Sequence, residues 1–258
     1  MAAQRVCIGT SGWSYDHWQE VFYPEAVAAS QRLAYYQQYF RSVEINSSFY
    51  SLPSPASLRH WYESVAGDFV FAVKASRYIT HMKKLRDPQR TIKTFMNRVE
   101  ILQDKLGPIL FQLPPRWHVN AERLAALFKI LPRDYLYAVE FRDPSWHSER
   151  IYELLAKRAV AFCIYDLSGK LSPLQVTADF IYIRLHGPKG PYQGQYSGYA
   201  LRRWAETIER WRKEKREVYC YFDNDEAAYA VKDAIRLREM LKNKGGKRPA
   251  KESSGRRR

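Results

Sequence analysis

Tyr182, Arg184 and His186 occupy every second position of the run FIYIRLHG at residues 180–187. Side chains alternate along a strand, so a phenol, a guanidinium and an imidazole share one face, while Ile181, Ile183 and Leu185 share the other. Such a face can bind an anion and move a proton. Gly187, Gly190, Gly194 and Gly198 follow, with Lys189 among them, a run able to leave backbone N–H groups free for anionic oxygens.

Other chemistry-bearing residues close apolar runs in the same way. Glu44 and Asn46, Lys74, Gln112, Glu140 and Arg142, Asp166, and Asp223 with Asn224 each stand at the end of a stretch rich in β-branched and aromatic residues. Charges on buried strands are costly alone, so they are expected to converge and pair. Lys74, Arg142, Arg184 and Lys189 suit phosphate or carboxylate oxygens, Arg through its planar fork and Lys as a point charge. His186 with one of Glu44 or Glu140 is the expected acid/base pair, and Lys74 is the further catalytic candidate. The structural alternative is a network in which Glu44, Glu140 and Asp166 only neutralise Lys74, Arg142 and Arg184. Among the nearby rings, Trp13, Trp146 and Tyr192 are the expected ligand contacts. No cofactor is expected. His81, His186, Glu44, Glu140 and Asp166 are the ligand types a divalent metal would use, but the neighbouring cations oppose it and no H-E-x-x-H spacing occurs.

Eight strand-like runs position these residues: 6–12, 43–49, 69–75, 108–113, 136–141, 160–166, 180–186 and 217–222. Helical patterns fill most intervals, at 31–40, 55–65, 88–106, 121–131, 149–158, 199–215 and 225–242. Ser54 before Pro55, Asp87 before Pro88, and Asn120 are the expected N-caps. Only SGKLSPLQVTAD, between the sixth and seventh strands, is too short and too proline-broken for a full helix. Alternating strands and helices require right-handed parallel crossovers, and eight of them give an α/β fold, a single (β/α)8 TIM-type barrel with a reduced sixth crossover. An open doubly wound sheet would show G-x-G-x-x-G after the first strand, where this chain has GTSGWSYDHW. In a barrel the strand C-termini form the active mouth, which is where the polar residues fall.

The 258 residues are 46% hydrophobic, enough for one large core. No apolar run reaches membrane-spanning length and the N-terminus has no signal-peptide pattern, so a cytoplasmic protein is expected. Cys7, Cys163 and Cys220 lie in apolar runs without C-x-x-C spacing and read as reduced core thiols. The net charge of +15 divides into +7 on residues 242–258 and +8 on residues 1–241. The first segment is expected to be a disordered basic tail and the second the barrel.

Several motifs are similar, as an ordered set, to the YecE-like family, the domain-of-unknown-function family numbered 72. They are IGTSGW at 8–13, EINSSFY at 44–50, VKAS at 73–76 with Thr80-His81, GPILFQLPP at 107–115, VEFRDPSW at 139–146, DFIYIRLHG at 179–187 and YFDND at 221–225. The resemblance spans residue 6 to about 240 and implies a TIM-type barrel without an assigned activity. It places the family's motif residues at Trp13, Glu44, Asn46, Tyr50, Lys74, His81, Gln112, Glu140, Arg142, Trp146, Arg184, His186, Gly187 and Asn224. YFDND departs from the pattern, since the family more often carries two asparagines there.

The function expected from these residues is binding of a phosphate-bearing ligand at the mouth. A nucleic acid with phosphodiester hydrolysis comes first. The alternatives are a sugar-phosphate isomerase or lyase, and a non-catalytic nucleic-acid-binding protein acting through its tail.

Overall fold

Apolar runs buried on both faces can only be strands wrapped inside a helical layer, and the computed structural model, which describes residues 5–245, has that form. Its strands are β1 (Val6–Thr10), β2 (Ser42–Ile45), β3 (Val70–Lys74), β4 (Leu106–Gln112), β5 (Tyr137–Glu140), β6 (Ala161–Leu167), β7 (Lys170–Leu171), β8 (Phe180–Leu185) and β9 (Glu217–Phe222). Eight of them are parallel, in the order β1-β9-β8-β6-β5-β4-β3-β2. A parallel bridge between Ser11 and Glu44, with Gly12 N–H donating to Glu44 O at 2.8 Å, brings β1 back to β2. Gly9 permits that approach: a Cβ there would lie 2.2 Å from the Ser42 carbonyl oxygen. The result is the expected TIM-type barrel.

The outer layer contains α1 (Arg32–Tyr36), α2 (Pro55–Glu63), α3 (Pro88–Val99), α4 (Ala121–Ile130), α5 (Glu149–Ala156), α6 (Gly198–Lys213) and α7 (Tyr229–Gly245). Ser54 and Asn120 cap as expected, accepting from the N–H groups of Ser57 and Arg123. Asp87 does not. Its backbone is left-handed, with φ of 44°, and its side chain makes no capping bond. The helix after β9 begins at Tyr229 rather than Asp225, because Asp225 is drawn away to other partners described below. The sixth crossover is reduced to β7, which folds back antiparallel on β6 through Asp166↔Leu171 and Leu167↔Lys170.

Two cores result. One lies between strands and helices, and the other fills the barrel with Val70, Ala72, Leu110, Ala138, Cys163, Tyr182 and Tyr221 among others. Small residues opposite two tyrosines let the interior close. All three cysteines are free and buried. Among the described residues no helix is long and apolar enough to cross a membrane. The expected barrel boundary at Leu241 falls inside α7, which continues to Gly245; residues 246–258 of the expected tail lie outside the described residues.

Candidate functional site at the barrel mouth

One layer above the apolar interior, the period-two count turns Glu44, Lys74, Gln112, Glu140 and Arg184 inward. Arg184, fully buried, is the hub. Its guanidinium donates to Glu44 Oε1 at 2.7 and 3.2 Å, to Glu140 Oε2 at 3.0 Å, to Asp223 Oδ2 at 2.9 Å and to Ser11 Oγ at 3.1 Å. Tyr182 OH and Ser11 Oγ donate to Glu44 from the remaining sides. Acceptors from four strand ends therefore converge on one cation.

Arg142 and His186 extend the network outward. Arg142 donates to Glu140 Oε1 and, at 2.9 Å, to His186 Nε2. With Nε2 accepting, the ring proton sits on Nδ1, 3.1 Å from Asp223 Oδ2. Burial works against charge on Glu140, but Arg142 first and Arg184 next outweigh it and hold the carboxyl well below the usual range. Asp223 is likewise lowered, with Arg184 and His186 overcoming burial.

Lys74 stands apart. It is 5% exposed, and its Nζ lies 4.2 Å from the centroid of the Phe49 ring. Among the described residues no carboxylate forms an ion pair with it. Burial first, and Arg184 second, lower its pKa from 10.5 to about 8, against the pull of Asp223, Glu44 and Glu140. With that value about a tenth of the amine is neutral at pH 7, far more than for a surface lysine.

Lys74 opens onto a mouth cavity of about 440 Å³ walled by Tyr15, His17, Asn46, Tyr50, Tyr192, Asp223, Asp225 and Glu226 among others. Tyr15, Asn46 and Tyr50 also wall a neighbouring cavity of about 470 Å³ with Trp13 and Trp61, whose rings meet edge-on at 5.0 Å. Asn46 Oδ1 is shielded from solvent and has no hydrogen-bond partner among the described residues. On the acidic wall, Asp225 accepts from Trp18 Nε1 at 2.7 Å and pairs with His17 Nε2 at 3.0 Å. Burial raises its pKa to about 6 despite those partners. A separate hollow of about 330 Å³ lies at the opposite end of the barrel, between Phe128, Arg133, Tyr137 and Lys157, away from these charges.

The other sequence candidates are distributed as follows. Trp13, Asn46, Tyr50, Lys74 and Tyr192 line the cavities; Glu44, Glu140, Arg142, Arg184 and His186 form the floor beneath; Gln112 is buried beside Glu140 in the β4–β5 register. Trp146 is not a cavity wall: it is fully buried, stacked on Phe141 and donating to the Trp117 carbonyl. Asn224 is also internal, its amide tying Gly194 O to Asp233. The glycine loop differs from expectation. Gly187 N–H donates to Tyr196 OH, Gly194 N–H to Glu226, and Lys189 N–H to Gln193 O, so these groups are taken rather than free for an anion. Gly187 has φ of 111°, and a Cβ there would meet Gln193 O at 2.2 Å, so its role is to turn the loop.

The five residues considered for a metal do not assemble. Asp166 pairs in register with outward-facing Leu185 and lines an external groove beside α6. His81 stands among Lys74, Arg77 and Arg142, where burial and those cations push its pKa down to about 4. Glu44 and Glu140 are committed to arginines, and among the described residues no group of three or more His, Cys, Asp or Glu is arranged to hold a metal. Sequence reasoning missed Ser11, His17 and Glu226. His17 acquires its meaning only from Asp225, far away in the chain.

A family model described as a protein of unknown function, DUF72, matches residues 7–256. UPF0759 protein YunF of Bacillus subtilis is 25% identical, over 92% of this chain and 94% of its own. UPF0759 protein YecE of Escherichia coli K12 is 29% identical over 56% of this chain and 51% of its own length. The crystal structure of a DUF72 family protein from Thermotoga maritima superposes with a TM-score of 0.84 at 31% identity, covering 92% of this chain and 99% of that one. The motifs at successive strand ends, the barrel and these matches agree that the chain belongs to the DUF72 family.

Proposed function

We propose that the barrel mouth binds a phosphate-bearing ligand, with a nucleic-acid strand held across its rim and processed at a phosphodiester in the cavity. One observation carries this reading. Residues 77–93, which leave β3 at the mouth, hold six Lys/Arg against Asp87 alone. Arg77, Lys83, Lys84, Arg86 and Arg90, with Arg116 after β4, are exposed and have no ion pair among the described residues. Arg123, at the start of α4, donates to the Lys84 carbonyl at 3.4 Å and ties this segment to that helix. Exposed cations that outnumber acids in this way are suited to releasing counterions from a phosphate backbone. The exposed rings of Tyr50, Tyr78 and Tyr192 supply stacking surfaces around the same opening.

A second reading rests on the opposite wall. Asp223, Asp225 and Glu226 repel a polyanion from that side, and about 440 Å³ suits a small ligand, which favours a sugar phosphate bound near Lys74. Anisotropy of a labelled single-stranded oligonucleotide separates these readings. The triple variant Lys83→Glu, Lys84→Glu, Arg86→Glu is expected to lose affinity about tenfold or more, whereas a chain ending at Gly245 keeps it. Unchanged binding by the triple variant, with loss on truncation, would transfer the activity to the tail. Displacement by ribose 5-phosphate without tight strand binding would favour the second reading.

A further inference from the structure

Among the described residues, Lys74 is the one cation of the mouth floor that the carboxylate network leaves out. Arg184 and Arg142 absorb Glu44, Glu140 and Asp223, while the Lys74 amine rests against the Phe49 ring and opens into the cavity. A structural lysine buried to this depth would be expected to end on a carboxylate or on carbonyl oxygens, as Lys105 does on Tyr62 O and Val65 O. The Asp225–His17 pair and Asn46, with its unpartnered Oδ1, line the same cavity. A nucleophilic amine, a proton acceptor and a hydroxyl-binding amide thus surround one space. Cations line the rim beside it.

We propose that Lys74 forms an imine with an aldehyde that carries a phosphate ester on its β carbon, and that the mouth then expels that phosphate by elimination. The inference rests on the phosphate-binding reading of the mouth. The neutral amine adds its lone pair to the aldehyde carbon. Loss of the former carbonyl oxygen as water, with two protons, leaves a C=N bond to Nζ, protonated as the iminium. The Asp225 carboxylate removes the proton from the α carbon, and that electron pair forms the α–β double bond. The C–O bond to phosphate breaks, and its electrons leave with the phosphate oxygen. Water then hydrolyses the imine, returning the lysine and releasing an unsaturated aldehyde. No oxidant, reductant or metal enters the balance. The depressed pKa of Lys74, about 8, supplies the neutral amine this sequence needs near neutral pH.

The same chemistry has two sources: a free sugar phosphate such as glyceraldehyde 3-phosphate, and a ring-opened abasic site in a nucleic-acid strand. The test incubates the whole chain with each probe, adds borohydride, and maps the adduct by peptide mass. The expected result is a reduced adduct at Lys74 in one arm, with phosphate release or strand scission when borohydride is omitted. Lys74→Met and Lys74→Arg should both drop to the level of borohydride with protein alone. An adduct confined to the abasic strand identifies the nucleic-acid source, and one confined to the sugar phosphate identifies the small-molecule source. No adduct in either arm, or surface-lysine adducts that persist equally in Lys74→Met, overturns the proposal. Strand binding without borohydride is measured alongside: binding that persists without an adduct removes the imine and leaves the phosphate site, whereas absence of both binding and adduct removes both.

Discussion

Replacing Arg184 by Met isolates what the buried network contributes. The substitution keeps an unbranched side chain of similar reach but removes donors now within 3.2 Å of Glu44, Glu140, Asp223 and Ser11. Arg142 still serves Glu140, and His186 still serves Asp223, so Glu44 is the carboxylate left with hydroxyl donors alone. Breaking a buried pair by removing one partner costs about 3–5 kcal/mol. For a domain of this size each kcal/mol lowers Tm by roughly 2–4 °C, so the expected fall is about 6–20 °C near pH 7. The pH dependence follows in sign. Glu140 and Asp223 have folded pKa values depressed by Arg184, so their stabilisation is present above the ordinary carboxylate range and is lost as pH falls through the depressed values. Without Arg184 their pKa values rise, folding takes up protons more readily, and the gap between wild type and variant should narrow from about pH 7 to about pH 4. Thermal unfolding followed by circular dichroism at both pH values is the assay. A fall under about 2 °C near neutrality, or a gap that widens in acid, would refute the network as described.

Three further substitutions test other parts of the account. Lys74→Met removes an amine whose folded pKa is lowered to about 8; the cost of keeping it charged is greatest below that pH, so the variant should gain up to about 3 kcal/mol near pH 7, and the gain should shrink between about pH 8 and 10, as urea unfolding can measure. Asp225→Asn should likewise stabilise by about 1–2 kcal/mol at pH 7, because a carboxyl raised to about 6 contributes stability in acid that is lost as pH rises through that value; a gain equally large near pH 4 would contradict it. Trp146→Ala empties a fully buried site and should cost about 3–5 kcal/mol while leaving oligonucleotide affinity intact under folded conditions, which anisotropy below the variant's Tm checks.

Most of the barrel was legible because strand alternation needs only local sequence. Tyr182 and Arg184 face inward together, and the proline-broken segment before Phe180 correctly announces a crossover without a helix. Parity also settles Asp166: counting from Cys163, whose side chain fills the barrel, puts Tyr165 inside and Asp166 outside. Two of the three expected caps were legible. Ser54 and Asn120 have extended or open backbones that let the side chain reach back, whereas Asp87 is forced into the left-handed region by the turn before Pro88. Long-range partners were not legible. His17 meets Asp225, Gly194 N–H meets Glu226, and Trp146 falls under Trp117, each decided by the closed barrel rather than by neighbours in sequence. Lys74 was selected as one cation among several, but its separation from the carboxylates emerges only when Arg184 is seen to take them all.

The most direct test of the phosphate-binding mouth is the salt dependence of single-stranded oligonucleotide binding, compared between wild type and the Lys83→Glu, Lys84→Glu, Arg86→Glu variant, both in chains ending at Gly245. If about four rim cations neutralise phosphates, log affinity should fall against log salt with a slope of about −3 in the wild type, and the variant's slope should approach zero. Equal slopes in the two proteins, or no binding at low salt by the wild type, would contradict the account.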